Sequence, residues 1–237
     1  MENQLIFQRY ELKYLLTRRQ RDALLRQLGP AIEPDVYPHS SIRNLYFDTP
    51  DFLLIRRSLE KPDYKEKLRL RSYGTAGPQD TVFLELKKKY GELVSKRRIL
   101  LPQQQALGWL NGAQALPDSQ IARELDAAHR RYGPLRAAVF LSYERDCYRA
   151  ADGSELRLTF DESICFRAGQ QTLSCAPGGT ALLRPEQVLL ELKTPQALPL
   201  WLVRALSRAG LRQTGFSKYG AAYRTLCAAP QKGEQYA

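Results

Sequence analysis

Charged side chains recur at every second position in several segments of this chain, and this alternation limits what the chain can fold into. In residues 5–16, Arg9, Glu11 and Lys13 share one set of alternate positions, while Leu12 lies among the apolar and aromatic residues of the other set. Successive side chains of a β-strand point to opposite faces. Such segments are therefore predicted to be strands with one charged face and one face that packs on apolar neighbours.

The same pattern predicts eight strands, with helices between some of them. The strands are expected at residues 5–16, 41–47, 65–73, 81–89, 92–100, 136–149, 155–161 and 187–193. Helices are expected at residues 18–28, 52–58, 102–112, 119–132 and 198–209, and after the segment 215–219. The first helix has the sequence of a capping box, with Thr17 and Gln20 at its N-terminus, and Gly29 followed by Pro30 ends it.

The charged faces decide between two arrangements of these strands. An open sheet with a basic face in water is the simpler arrangement, but at least five segments carry two or three full charges opposite an almost purely aliphatic face. Cations dominate these faces, and like charges on neighbouring strands repel one another unless a bound polyanion compensates them. A barrel of about eight strands encloses space for one narrow ligand. The predicted fold class is therefore α+β, a closed antiparallel eight-stranded β-barrel coated by helices.

Composition limits the partners and the location of the chain. The 36 Lys and Arg residues exceed the 25 Asp and Glu residues, and the formal net charge of +11 suggests a polyanionic partner without identifying it as nucleic acid, membrane surface or phosphate. The N-terminus lacks the pattern of a signal peptide, and no stretch approaches the ~20 apolar residues that span a bilayer. We expect a cytoplasmic chain that associates with membranes only through a partner.

The remaining composition suggests one domain without disulfides. The 4 cysteines are scattered and form no Cys-x-x-Cys pair, so they are expected to be reduced thiols and not a disulfide or a zinc site. Residues 1–227 are expected to form a single domain, and residues 228–237 a disordered tail.

Several of the predicted strands carry motifs that occur together in one known family. In chain order the motifs are RYELKYLL, NLYFDTP, KLRLRSYG, FLELKKK, SKRR, LRLTFD, LLELK and GFSKYG. Single motifs such as Glu-Leu-Lys are weak signals, but the ordered set extends from about Phe7 to Tyr223. This set resembles the VTC domain, the polyphosphate polymerase branch of the triphosphate tunnel metalloenzymes in the CYTH-like superfamily.

The resemblance implies an eight-stranded triphosphate tunnel that transfers the γ-phosphate of ATP to a growing polyphosphate chain, with Mn²⁺ or Mg²⁺ as cofactor. It implies partners of two kinds, namely ATP or another nucleoside triphosphate, and inorganic polyphosphate or pyrophosphate. The residues that it places in the catalytic set are Lys13, Arg69, Arg71, Lys87, Arg145, Arg157 and Lys218. It further implies that Lys96 and Ser217 bind phosphate and that Glu191 binds the metal.

The charged faces add further candidates beside those residues. Arg9, Lys67, Arg98 and Lys193 lie on the same faces and are expected to bind substrate. Glu11 and Glu85 are expected to assist Glu191 as metal ligands, because hard oxygen donors suit these cations. The alternative for Glu11 and Glu85 is that they form ion pairs that keep neighbouring cations ordered.

Two other functions stay open at this point. The hydrolase branch of the superfamily typically opens with Glu-x-Glu-x-Lys, whereas this chain has Arg9-x-Glu11-x-Lys13, which favours the polymerase over a triphosphatase. A non-catalytic module that binds polyphosphate or nucleic acid is the other alternative. Nucleic-acid binders place aromatic side chains among their basic residues, and the inward faces are expected to carry few of them, so no nucleic acid is expected as a partner.

Overall fold

The chain is described by a computed structural model over residues 8–91, 93–170 and 172–228, with side chains from Tyr10 onward. The tail beyond residue 228 and the first seven residues lie outside the described residues, so the predicted division at residues 227 and 228 stays a prediction. The strands are β1 (Gln8–Thr17), β2 (Ile32–Asp48), β3 (Tyr64–Tyr73), β4 (Thr81–Tyr90), β5 (Leu93–Pro102), β6 (Arg136–Ala150), β7 (Arg157–Arg167), β8 (Thr180–Ala181) and β9 (Gln187–Thr194). The helices are α1 (Arg18–Leu28), α2 (Leu53–Leu59), α3 (Gln103–Leu110), α4 (Gln120–Tyr132), α5 (Leu200–Arg208) and α6 (Lys218–Ala228), and a short 3-10 helix spans Gly29–Ala31.

All strands belong to one antiparallel sheet of nine strands in the order β6-β2-β3-β4-β5-β1-β9-β7-β8. The sheet curls strongly, because β6 also pairs with β7, with a register that runs from Phe140↔Arg167 to Arg149↔Arg157. The expected antiparallel sheet with helices is confirmed.

The expected simple closed barrel of eight strands needs correction. The sheet has nine strands, and β8 stays at an open edge with β7 as its neighbour. β7 changes its partner on this side at Ser163, which adopts a positive φ of 51°. β9 pairs with residues 157–161 of β7, before this irregularity, and β8 pairs with Cys165 and Phe166 after it.

β2 also differs from the expected strand. It begins at Ile32, nine residues before the predicted start, and it pairs with β6 across a register shift between Pro34 and His39. Proline cannot donate a ladder hydrogen bond, so Pro34 and Pro38 give this part of the chain the sequence of a loop. The structure nevertheless keeps it in the sheet because β6 is long enough to pair with it.

The aliphatic faces of the strands are covered by helices, as the sequence predicted. Leu68, Leu84 and Leu86 are almost completely buried in a core that also contains Trp109 of α3 and Leu125 of α4. A second core joins β1, β7 and β9 to helices α1 and α5. The predicted capping box of α1 is present, since Thr17 and Gln20 exchange side-chain and backbone hydrogen bonds. No helix of the described residues is long and apolar enough to cross a membrane.

Helices α2 and α6 pack together at one end of the curled sheet. The carboxylate of Asp48 accepts hydrogen bonds from the backbone amides of Leu54 and Ile55 at the N-terminus of α2. The same carboxylate accepts a 2.7 Å hydrogen bond from the hydroxyl of Tyr219 on α6, and the Tyr219 ring stacks on Tyr46 with centroids 4.6 Å apart. These contacts fix the N-terminus of α6 against the inside of the sheet.

Candidate functional site

Contacts between strands that are not neighbours show that the charged faces point to the inside of the curl. Lys87 of β4 contacts Glu11 of β1 across β5, with 2.7 Å between Nζ and Oε2. The Arg71 guanidinium of β3 donates a 3.3 Å hydrogen bond to the hydroxyl of Tyr143 on β6, across β2. We call these charged faces the inner faces and the space between them the bore.

Outward charges have a different set of partners. Lys88 and Arg97, which the alternation places on the opposite faces of β4 and β5, both contact Glu124 of helix α4. These contacts agree with the outward direction that the alternation gives to both side chains. The inner and outer faces are thus separated as strand geometry requires.

Glu191 on β9 lies at the centre of the most crowded part of the bore. The Lys218 ammonium at the start of α6 is 2.9 Å from Oε1, and Lys13 of β1 is 3.6 Å from the same atom. On the other oxygen, Oε2, Arg145 lies at 3.4 Å and Lys193 at 3.6 Å. Burial alone would raise the pKa of Glu191, but these four cations, Lys218 foremost, hold its pKa well below the ordinary value. The carboxylate is therefore an anion at neutral pH.

Asp161 on β7 is a member of this group that the sequence-based assignment left out. It is completely buried, and its two oxygens accept hydrogen bonds of 2.5 and 2.7 Å from the Arg145 guanidinium. Lys218 Nζ also lies 2.5 Å from Oδ2 of Asp161. Its position on the charged face of LRLTFD was the signal that could have identified it.

A second group is built around Glu85 on β4. Its carboxylate, 1% exposed, is 2.6 Å from the Arg69 guanidinium, 3.1 Å from Lys96 and 4.0 Å from Arg71. Burial alone would raise the pKa of Glu85, but Arg69, Arg71 and Lys96 hold it well below its ordinary value. These contacts support the alternative reading of Glu85 as an ion-pair partner that keeps cations ordered.

Two tyrosines and an asparagine also contact the cations of these two groups. Tyr46 accepts a 2.9 Å hydrogen bond from Arg69, and Asn44 accepts one of 2.9 Å from Arg71. The Lys218 ammonium lies 4.7 Å and the Arg145 guanidinium carbon 5.3 Å from the ring centroid of Tyr143. The side chains that orient the cations therefore include neutral groups whose roles the sequence did not reveal.

The N-terminus of α6 brings its own groups into the bore. Ser217 precedes the helix, accepts a hydrogen bond from the amide of Gly220 and accepts another of 3.1 Å from Lys67 of β3. Lys13 donates to the carbonyl of Phe216 at 3.1 Å. A helix N-terminus favours an anion, because its amide groups and dipole carry partial positive charge.

Two lysines of the bore have pKa values close to neutrality. Burial is the main cause that lowers the pKa of Lys67 to about 7, and the neighbouring cations Lys13 and Lys87 lower it further. Burial also lowers the pKa of Lys96 to about 8, although the Glu85 carboxylate opposes the shift. An additional negative charge in the bore would therefore stabilise the protonated form of both lysines.

The other predicted residues lie nearer to the end of the bore where β3, β6 and β9 finish. Arg157 belongs to the inner face by alternation, but its side chain is 45% exposed and is paired with Asp35 of β2. Arg98 lies opposite Glu85 in the ladder between β4 and β5. The backbone of Arg9 pairs with Val94, while its side chain lies outside the described part of the chain.

The charge of the bore is strongly positive. Its cations are Lys13, Lys67, Arg69, Arg71, Lys87, Lys96, Arg98, Arg145, Lys193 and Lys218, and its carboxylates are Glu11, Glu85, Asp161 and Glu191. Because the cations outnumber the carboxylates, internal ion pairs cannot neutralise them all. Such a space attracts a polyanion whose own charge is spread along its length.

The carboxylates fit a divalent cation only in part. Glu11 and Glu191 are ionised, because neighbouring lysines outweigh the effect of burial and lower both pKa values. Their hard oxygens suit Mg²⁺ or Mn²⁺. Among the described residues, however, no group of three or more acidic, histidine or cysteine side chains is arranged to hold an ion. The protein would therefore need phosphate oxygens to complete the coordination.

Comparison with known proteins supports both the motif set and the fold. The family model described as the VTC domain matches residues 8–227. Subunit 4 of the vacuolar transporter chaperone complex of Trypanosoma cruzi is 32% identical over an alignment of 85 residues, and the match covers 31% of this chain and 11% of that protein. The chain therefore spans a small part of the length of this curated relative.

Two solved structures share the fold. A candidate adenylate cyclase from Bacillus halodurans has a TM-score of 0.57 at 18% identity, covering 90% of this chain and 95% of that one. A candidate adenylyl cyclase from Hippeastrum, described as having a dominant triphosphatase activity, has a TM-score of 0.54 at 19% identity, covering 92% of this chain and 95% of that one. At these identities the likeness concerns the fold alone.

Proposed function

Because this chain belongs to the VTC domain family, we propose that it is a polyphosphate polymerase that transfers the γ-phosphate of ATP to the end of a growing inorganic polyphosphate chain. The observation that carries the proposal is the group around Glu191, where a buried carboxylate is surrounded by Lys218, Lys13 and Arg145 inside a strongly basic bore. A narrow bore with this charge suits an unbranched chain of phosphates.

In the proposed function the curled sheet acts as a tunnel for the phosphate chain. The arginines of the bore can each clamp two phosphate oxygens, while the lysines act as point charges that tolerate movement of the chain. Arg71 is well placed for this role, since its nearest partners are the neutral side chains of Asn44 and Tyr143. The Glu85 carboxylate lies farther away, at 4.0 Å, so most of the positive charge of Arg71 is left for a phosphate group.

The proposed reaction requires the protein mainly to position the phosphates and to stabilise their negative charge. Phosphoryl transfer passes through a loose transition state in which negative charge spreads over the transferring group. Lys218, Lys13 and Arg145 converge on Glu191 from α6, β1 and β6, so they place positive charge beside the proposed reacting centre. The acceptor is a phosphate oxygen that is already anionic at neutral pH, and the reaction therefore needs no general base.

Mn²⁺ or Mg²⁺ would be held by Glu191, assisted by Glu11, together with phosphate oxygens of the substrates. When bound, the cation would withdraw negative charge from the transferring phosphoryl group. We leave Glu85 out of this set, because its side chain is only 1% exposed and is enclosed by Arg69 and Lys96, whereas the side chains of Glu11 and Glu191 are 15% and 10% exposed. Glu85 is instead assigned to hold these two cations in place.

Product analysis tests the proposal directly. The purified chain is incubated with ATP and Mn²⁺, and the products are separated on a polyphosphate gel and assayed for ADP and orthophosphate. Long phosphate chains together with ADP are the expected products. Orthophosphate without phosphate chains would show that the chain is a triphosphatase and not a polymerase. Triphosphatase activity is the one ascribed to the Hippeastrum protein of similar fold. Binding of polyphosphate without any turnover would leave a non-catalytic module.

The Glu191→Gln variant tests the role of the central carboxylate. It keeps the size of the side chain and removes one negative charge from the bore, so metal-free tripolyphosphate is expected to bind at least as tightly as to the unmodified chain. Chain synthesis is expected to fall by at least about 100-fold, in line with the loss of an electrostatic group at the reacting centre. Glu124→Gln is the matched control, because Glu124 contacts Lys88 and Arg97 on the outer face. Full synthesis by Glu191→Gln would contradict the assignment.

A further inference from the structure

Two aromatic rings lie on the inner face close to the end of β3 and the beginning of β4. Phe83 is two residues from Glu85 and Tyr73 is two residues from Arg71, so both share the face that carries the bore charges. Their ring centroids are 5.7 Å apart and the rings are nearly perpendicular, at 89°. The sequence-based expectation of few inward aromatics overlooked this pair.

The pair directly adjoins cations that are suited to phosphate. The guanidinium carbon of Arg98 lies 5.1 Å from the Phe83 ring centroid, and Phe83 is the ladder partner of Arg71. A cation over an aromatic face is attracted by the ring and also remains able to bind an anion at its edge. The structure thus brings aromatic surface and phosphate-binding groups together at one place.

The pair differs from the other inner-face aromatics in its exposure. Tyr46 and Tyr143 are 7% and 3% exposed and are covered by other side chains of the protein, whereas Tyr73 is 54% exposed. The register of the antiparallel strands puts Tyr73 toward the same end of the bore as Arg149 of β6 and Lys193 of β9. Helices α2 and α6 pack at the opposite end. Tyr73 and Phe83 therefore border the mouth that these helices leave uncovered.

We propose that Tyr73 and Phe83 form the binding site for the nucleobase of the nucleoside triphosphate donor, with Arg98 and Arg71 beside its first phosphate. This inference rests on the proposed function, since it assumes a nucleotide as the phosphate donor. Inner-face residues follow one another every ~7 Å along a strand, so the phosphates would extend from Phe83 past Glu85 to Lys87, roughly 13 Å deeper. The base would stay at the mouth while the terminal phosphate enters the bore.

Stacking also predicts which nucleoside triphosphates can act as donors. Every base has a π-face, and stacking on aromatic side chains depends little on which base is bound. The proposed site binds the base through the ring faces of Tyr73 and Phe83, and its guanidinium groups are assigned to the first phosphate and not to the edge of the base. ATP and GTP are therefore expected to bind with affinities within about threefold of each other.

Titration calorimetry with ATP and with inorganic tripolyphosphate tests this site, because tripolyphosphate lacks the base. Tyr73→Ala and Phe83→Leu are expected to weaken ATP binding by roughly tenfold and to leave tripolyphosphate binding within about twofold. Tyr73→Phe keeps the ring and is expected to bind ATP like the unmodified chain. Tyr90→Ala is the matched control, since this exposed tyrosine lies at the other end of β4.

The outcomes separate this inference from the proposed polymerase. An equal loss of ATP and tripolyphosphate binding in Tyr73→Ala, or no loss of either, would overturn the base site. A selective loss of ATP binding supports the site even if the unmodified chain makes no polyphosphate, a result that would remove the polymerase proposal alone. Circular dichroism of each variant checks that it is folded, and Phe83→Leu keeps the side chain apolar in case the alanine variant of Tyr73 is unstable.

Discussion

Lys67 offers a test in which stability and ligand binding change in opposite directions. Its ammonium donates to Ser217, and burial together with Lys13 and Lys87 lowers its pKa to about 7. The folded chain therefore holds this charge at a cost, which a bound polyanion would offset. Lys67→Met removes the charge and keeps an unbranched apolar chain of similar length.

The sign and size of the effect follow from the two pKa values. Below pH 7 Lys67 is protonated in both the folded and the unfolded chain, and folding carries the full cost of the buried charge. Between pH 7 and the ordinary value of 10.5 the folded chain releases the proton, so its stability rises with pH. At about 1.4 kcal/mol per pH unit the cost is at most about 5 kcal/mol. Because Lys67 is only half-buried, solvent screening reduces the expected figure to about 2 kcal/mol.

Urea unfolding at pH 6.5, 8.0 and 9.5 measures this effect. We expect Lys67→Met to raise the free energy of unfolding by about 2 kcal/mol at pH 6.5, with a gain that shrinks toward pH 9.5. Its affinity for tripolyphosphate at pH 6.5 is expected to fall at least tenfold. Lys88→Met, on the outer face, is the control and should show neither the pH-dependent gain nor the loss of affinity. A destabilisation of Lys67→Met that is equal at all three pH values would refute the reasoning.

Two further substitutions probe the buried contacts, by urea unfolding at pH 7. Glu85→Gln leaves Arg69, Arg71 and Lys96 without their shared carboxylate, so it is expected to lower the free energy of unfolding by about 3 kcal/mol. An effect below about 1 kcal/mol would show that water already screens this group. Tyr219→Phe removes the hydrogen bond to the buried Asp48 carboxylate and is expected to cost about 1–3 kcal/mol. A neutral result there would mean that the amides of α2 satisfy Asp48 alone.

Much of the candidate site could be predicted because strand alternation is a local property. Which side chains of β3 and β4 share a face depends only on the backbone geometry of each strand, so Arg69, Arg71 and Lys87 could be grouped before any strand pairing was known. The same holds for the Thr17 and Gln20 capping box, which involves residues three positions apart. The extension of β2 escaped prediction, because Pro34 and Pro38 are normally signs of a loop.

The sequence alone determined which residues face inward, the excess of cations among them, and the family to which their order belongs. Only the tertiary structure decided which charge meets which. Lys218 contacts Asp161 and Glu191 from a helix far along the chain. Arg145 donates two hydrogen bonds to Asp161 because β6 pairs with β7. Such contacts depend on strand register and on the curl of the whole sheet, which arise from burying the aliphatic faces under helices. No local pattern encodes the distance between two charges on strands that become neighbours only when that core forms.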